Sequence, residues 1–123
     1  MATPSVDLNI VMPYGVTVEG DGDVKPRIVT RSPKASENDN LALPNGPCRV
    51  AASWEGSETV HLYVYAPGRG TFRKGTIPAG GGVRSVMVPI GATAGEWVFL
   101  QGATALPVGT RGTIEVYPID MQQ

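Results

Sequence analysis

The stretch CRVAASWEGSETVHLYVYA, residues 48–66, contains two runs in which apolar and polar side chains alternate. The first run places its apolar side chains on one side, namely Cys48, Val50, Ala52 and Trp54. A period of two is typical of a β-strand, because successive side chains of a strand point to opposite faces. The short connection Glu55-Gly56-Ser57 contains glycine, as hairpin loops often do. We therefore predict two strands joined as a hairpin, with Cys48 and Trp54 in the core.

The second of these runs is apolar on both faces. One face carries Val60, Leu62, Val64 and Ala66, and the other carries His61, Tyr63 and Tyr65. A strand that is apolar on both faces is usually covered on both. We therefore predict that this strand is central and that its aromatic side chains pack under another layer. The alternative is an exposed aromatic strip on which sugar rings could stack.

The rest of the chain offers little signal for helices. Sixteen glycines and eleven prolines among 123 residues leave only short segments, and a stable helix needs a longer uninterrupted run. Further alternating runs indicate strands at residues 6–12, 24–31, 83–90, 96–100 and 112–119. Pro26 removes a backbone donor from the second of these runs, which predicts a position at a sheet edge. Trp97, in the fourth run, is assigned to the core.

Seven to eight short strands in one layer would leave a face bare. We therefore predict an all-β fold, a two-sheet antiparallel β-sandwich of jelly-roll or immunoglobulin-like topology. A chain of this length is expected to form a single domain over residues 1–123. Two segments show no clear alternation, and we predict a long loop near 32–47 and a Gly-rich basic loop near 67–82. The alternative for the second segment is a short pair of strands around Phe72 and Ile77.

Composition excludes several classes of protein. Cys48 is the only cysteine, so an intrachain disulfide cannot form. The N-terminus shows no secretory signal pattern and no apolar run is long enough to cross a bilayer, so we expect synthesis in the cytoplasm and no membrane partner. Ten basic and eleven acidic side chains give a net charge of -1, which argues against a nucleic-acid partner.

No group of residues carries a catalytic or cofactor signature. His61 is the only histidine, which excludes zinc motifs that need two, and the chain has no Gly-x-Ser-x-Gly. We predict that the protein is not an enzyme and has no catalytic residue and no cofactor.

Acidic side chains do cluster in two places, at Glu19, Asp21 and Asp23 and at Glu37 and Asp39. Their oxygen atoms could hold Ca²⁺. Their spacing departs from the EF-hand loop, however, and Asp and Gly in this pattern are typical of ordinary turns. No metal site is predicted.

Charged residues make up 17% of the chain, against about 25% in a typical soluble domain. Because neighbours often cover a poorly charged surface, we predict a structural or interaction protein that packs as a homo-oligomer, a trimer being one form, on a larger protein scaffold. A virus or phage virion component, such as a capsid or capsid-decoration (cement) protein, has this general character, and the protein would then be located in the virion. The alternative is a carbohydrate- or ligand-binding β-sandwich module.

The charges are unevenly distributed along the chain. Between Glu58 and Glu96 there is no acidic residue, and the basic side chains in that interval are Arg69, Arg73, Lys74 and Arg84. Opposite charges on different loops of one domain suit a head-to-tail contact between copies. These four residues are therefore the predicted interaction site. The alternative is an ordinary solvated basic loop.

Overall fold

The computed structural model describes residues 12–36 and 38–119. These residues form nine β-strands. The strands are β1 (Tyr14–Glu19), β2 (Arg27–Thr30), β3 (Leu41–Ala42), β4 (Gly46–Trp54), β5 (Val60–Ala66), β6 (Gly70–Ile77), β7 (Arg84–Ala92), β8 (Trp97–Gly102) and β9 (Arg111–Pro118). The strand predicted at 6–12 lies outside the described residues except for Met12, and so does Glu37.

The strands form two antiparallel sheets, and the all-β sandwich is confirmed. The five-stranded sheet has the order β2-β1-β9-β4-β7, and the four-stranded sheet has the order β3-β8-β5-β6. Strands pair as a nested series, β1 with β9, β3 with β8, β4 with β7 and β5 with β6. This is the pattern of one long hairpin that has been rolled up, which identifies the topology as a jelly roll and not as immunoglobulin-like.

Alternation along each strand produces the core between the sheets. On β5 the side chains of Val60, Leu62, Val64 and Ala66 are buried, as predicted. Cys48 and Trp54 on β4 are buried as well. Because each sheet contributes one apolar face, the two inner faces interdigitate to form the core, and neither outer face takes part in it.

The predicted hairpin between residues 48–54 and 58–66 is wrong. Strand β4 pairs with β7 and β9 in the five-stranded sheet, while β5 pairs with β6 and β8 in the four-stranded sheet. The connection is therefore a corner that passes from one sheet to the other. There the Trp54 Nε1 atom donates a hydrogen bond to Glu58 Oε1 at 2.9 Å. A short loop between two alternating runs is common to hairpins and to such corners, and alternation alone does not distinguish them.

Two predicted loops contain strands. Strand β6 occupies Gly70–Ile77 within the segment assigned to a Gly-rich loop, and β3 and the start of β4 fall within residues 32–47. Strand β6 is hard to recognise because it is an edge strand with one buried side chain, Ile77. The predicted edge position of the strand after Pro26 is confirmed, since β2 lies at the edge of the five-stranded sheet. In the described part of the chain no helix is long and apolar enough to cross a membrane.

Candidate ligand-binding cleft

The outer face of the four-stranded sheet is aromatic. The outward side chains of β5 are His61, Tyr63 and Tyr65, and those of β8 include Trp97 and Phe99. Tyr65 is 40% exposed and the other four are half-buried. The predicted second layer over this face is therefore wrong, and so is the assignment of Trp97 to the core. Strand β5 is central in its sheet, as predicted, but only its inner face is covered.

These aromatic side chains hold one another in place. Tyr63 and Phe99 are stacked, with ring centroids 5.5 Å apart and an interplanar angle of 19°. His61 meets Tyr63 edge to face at 6.0 Å. On the far side, the Lys25 Nζ atom lies 4.8 Å from the centroid of the Phe99 ring. Such contacts each stabilise by about 0.5–1.5 kcal/mol, so His61, Tyr63 and Phe99 are held in place before any ligand arrives.

A cleft opens where residues 38–40 stand beside this face. Its volume is about 610 Å³, within the range of small-molecule sites. Its lining is Lys25, Asn38, Asp39, Asn40, Tyr65, Thr71 and Phe99. The cleft therefore has one aromatic side, formed by Tyr65 and Phe99, and one polar side, formed by Lys25 and residues 38–40. We call it the sheet cleft.

Local hydrogen bonds hold the polar side of the sheet cleft. The Ser36 hydroxyl accepts from the backbone N–H groups of Asn38 (3.2 Å) and Asn40 (3.3 Å). Asp39 has a positive φ of 61°, a conformation that Asp tolerates better than most residues. Its Oδ1 atom accepts from the Ile28 N–H at 3.3 Å. These contacts tie the segment to β2, so the polar side chains are presented from a fixed backbone.

Lys25 links the two sides of the sheet cleft. Its Nζ atom donates to the Asn38 carbonyl oxygen at 2.5 Å while lying over Phe99. Partial burial lowers the pKa of Lys25, and the Asp39 carboxylate partly offsets that effect. The Oδ1 atom of Asn40 is buried and has no hydrogen-bond partner among the described residues. The polar side therefore combines a cation, a carboxylate and amide groups.

Two of the four predicted interaction residues make hydrogen bonds within the chain. Arg69 donates to Glu96 at 3.0 Å, and Glu96 is buried. Arg84 donates to the carbonyl oxygens of Gly56, Pro78 and Gly82. The contact of these two arginines with a partner stays a prediction.

The other two predicted residues lie on the edge strand β6. Arg73 is opposite Tyr63, whereas Lys74 is the extra residue of a bulge, with its Nζ atom 5.9 Å from the Phe72 centroid. Both are exposed, and their contact with a partner stays a prediction.

In the described part of the chain, acidic side chains of the predicted clusters form a turn hydrogen bond and an ion pair. Asp21 accepts from the Asp23 N–H at 3.3 Å, and Glu19 lies 3.7 Å from Arg111. Among residues 12–36 and 38–119, no group of three His, Cys, Asp or Glu side chains is placed as metal ligands would be.

The sequence interpretation missed most of the sheet cleft. It named the aromatic face of β5, and it named Asp39 only as part of an acidic cluster, but it did not assign Lys25, Phe99 or the polar segment 38–40 to a binding site. The one local signal was the Asn-Asp-Asn sequence at 38–40, because these residues favour turns with a positive φ. Which face such a turn lies beside depends on the pairing of distant strands.

Comparisons with known proteins show the fold alone. No family model matches the chain, and no curated protein matches it. The globular domain of zebrafish complement 1qA protein is similar in structure, with a TM-score of 0.55 and 10% identity over 91% of this chain and 100% of that one.

Murine APRIL is similar to the same degree, with a TM-score of 0.55 and 10% identity over 86% of this chain and 99% of that one. A carbohydrate-binding module, the CBM36-1 domain of a multidomain xylanase from the hindgut metagenome of Trinervitermes trinervoides, reaches a TM-score of only 0.44 at 11% identity over 88% of this chain and 100% of that one. The chain thus shares a jelly-roll β-sandwich with the complement and APRIL domains.

Proposed function

We propose that this protein is a ligand-binding β-sandwich module and that the sheet cleft holds a neutral sugar. The observation that carries the proposal is the composition of the cleft, which opposes an aromatic side to a polar side in about 610 Å³. A sugar ring has the matching character, since its C–H groups form apolar patches and its rim carries hydroxyl groups.

The aromatic side suits the apolar patch of a sugar ring. Tyr65 is the most exposed of the outward aromatic residues, at 40%. Phe99 is fixed between Lys25 and Tyr63. A ligand that covers these rings removes apolar surface from water at about 25 cal/mol per Å². Because the Phe99 ring is already held by its neighbours, little of its side-chain entropy is lost on binding.

The polar side favours a ligand without net charge. Lys25 and Asp39 bring one positive and one negative charge to the same cleft. A carboxylate ligand would face Asp39 and a cation would face Lys25. A hydroxyl group can accept from Lys25 and donate to Asp39, and adjacent hydroxyls can do both at once. The Asn40 side chain adds an amide whose Oδ1 atom has no partner among the described residues.

The test is binding to a panel of soluble polysaccharides, measured by affinity electrophoresis and then by calorimetry on fragments of any that bind. We expect a neutral polysaccharide to bind and polygalacturonate to bind less well. Tyr65→Ala should weaken binding by at least about tenfold, because it removes a central aromatic contact. Tyr117→Ala is the matched control, since Tyr117 is similarly exposed but lies on the other sheet.

Two results would contradict the proposal. One is the absence of binding to every neutral polysaccharide and fragment in the panel. The other is binding that Tyr65→Ala and Tyr117→Ala weaken equally, because a ligand in the sheet cleft does not contact Tyr117.

Self-association is the second candidate function. It keeps the general form of the interaction protein proposed from the composition, and exposed apolar side chains on the five-stranded sheet favour it. The proposal does not extend to a capsid or another part of a virus or phage particle, because no observation on the molecule or its structural relatives supports such a scaffold.

A further inference from the structure

Five outward positions of the five-stranded sheet carry small, uncharged side chains. These residues are Gly15, Thr17, Ala51, Ser53 and Thr113, on β1, β4 and β9. All five are half-buried although no other part of the described chain forms a layer over them. One charged side chain lies among them, because the strand register places Glu115 between Gly15 and Ala51. We call this surface the small-residue face.

One row of the small-residue face consists of hydroxyl residues alone. Strand register places Thr30 beside Thr17, Thr17 beside Thr113, Thr113 beside Ser53, and Ser53 beside Ser85. The Ser53 and Thr113 hydroxyl oxygens are 2.8 Å apart and are hydrogen-bonded to each other. Since these groups partly satisfy one another, covering them costs less than covering isolated hydroxyls.

Large apolar side chains project at the border of this face. Val83 is 74% exposed, Met87 is 57% exposed and Tyr117 is 36% exposed. Two shallow depressions of about 240 Å³ each lie on the face, and both include Thr17 and Thr113. The face therefore carries both projecting apolar side chains and hollows, and Val83 also lines one of the hollows.

The face carries charges of both signs. Arg27, Arg49 and Arg111 are the cations on its strands, Glu19 and Glu115 are the anions, and a third carboxylate, Glu55, lines one of the two depressions. Glu19 and Arg111 lie 3.7 Å apart. Glu115 accepts from the Tyr117 hydroxyl at 2.8 Å, and within the described part of the chain Arg49 forms no salt bridge. A second copy would bring its own Glu115 and Arg49, so the two free charges can pair across the contact.

We propose that the small-residue face binds a second copy of this chain. Because the face carries charges of both signs, the same patch on two copies can be complementary, which a two-fold contact requires. With strands about 4.8 Å apart and outward residues repeating about every 7 Å, the face measures roughly 20–25 Å each way. A footprint of roughly 500 Å² per partner is smaller than the roughly 800 Å² of a standard interface and has the size of a weak, reversible contact.

The first test is sedimentation velocity of the full chain over the micromolar range. We expect a reversible dimer. Met87→Glu and Thr113→Arg should each weaken dimerisation by at least about tenfold, because each places an unpaired charge in the contact. Val108→Glu is the control, since Val108 is 79% exposed in the turn before β9 and lines neither depression. A chain that stays monomeric throughout this range overturns the proposal.

A charge exchange checks the face itself. Arg49→Glu should weaken the dimer, Glu115→Arg should weaken it too, and the double variant should regain most of the loss because the two charges exchange places. Self-association that survives Met87→Glu and Thr113→Arg would show that another surface is used and would overturn the proposal. Glycan binding by the Met87→Glu variant is expected to be unchanged, so dimerisation is tested independently of ligand binding in the sheet cleft.

Discussion

His61 is an outward side chain whose pKa depends on its neighbours. Its ring contacts Tyr63 and its Nδ1 atom is 3.0 Å from the Thr76 hydroxyl oxygen. Partial desolvation lowers the pKa of His61, and the positive charge of Arg73 lowers it further. His61 is thus the natural probe for the position of Arg73, the predicted interaction residue that shares its face.

Replacing Arg73 by Gln should raise the pKa of His61 towards the ordinary value of about 6.5, because the nearby positive charge is removed. The change is measured by an NMR titration of the imidazole protons. Lys74→Gln serves as the control and should shift the pKa less, since Lys74 is the bulged residue and lies beside Phe72. Equal shifts in the two variants would contradict the placement of Arg73 on the aromatic face.

At the residue scale, alternation was a sufficient guide to the core but not to the outer faces. Val60, Leu62 and Val64 are buried as the pattern predicts. His61, Tyr63 and Tyr65 alternate with them, and their apolar character led to the expectation of a second covering layer. Instead, His61 packs on Tyr63 and Tyr63 packs on Phe99, while Tyr65 is exposed. Sequence alone could not show this, because Phe99 comes from β8 and reaches Tyr63 only through strand pairing.

At the element scale, strands were predictable and their partners were not. The runs at 83–90, 96–100 and 112–119 correspond to β7, β8 and β9. The pairing of β4 with β9 depends on contacts more than fifty positions apart, and nothing local to either run specifies it. One glycine lies at this pairing: Gly112 of β9 is directly opposite Trp54 of β4.

Gly112→Ala should destabilise the fold by about 1–3 kcal/mol, the usual cost of overpacking a core. A Cβ atom at this position would lie 2.6 Å from Trp54 Cε3 and would also meet the Ser53 carbonyl oxygen. The measurement is the free energy of unfolding in urea. Gly91→Ala on β7 is the matched control, since a Cβ there meets nothing within 4 Å, and its effect should stay within about 0.5 kcal/mol. Equal effects would mean that β9 does not pack against Trp54.

At the scale of the whole molecule, Tyr14 connects the two sheets. It lies on β1, and its hydroxyl donates to the Ala42 carbonyl oxygen of β3 at 2.6 Å. Burial raises the pKa of Tyr14 to about 12, and the neighbouring Cys48 contributes in the same direction. The folded protein therefore keeps this proton to a higher pH than the unfolded chain does.

Because the folded pKa of Tyr14 is raised above the unfolded value of about 10, its proton-linked stability is complete below pH 10 and is lost as the pH rises towards 12. Tyr14→Phe removes both the hydrogen bond and the ionisation. Below pH 10 the native chain should exceed the variant by about 1 kcal/mol, and this advantage should shrink steadily above pH 10. Urea unfolding of both chains from pH 8 to 11.5 measures the difference in their free energies of unfolding. Groups that titrate in both chains contribute equally and do not affect this difference. A difference that stays constant across this range would show that Tyr14 ionises alike in the folded and unfolded states, and that its bond to β3 does not hold the sheets together.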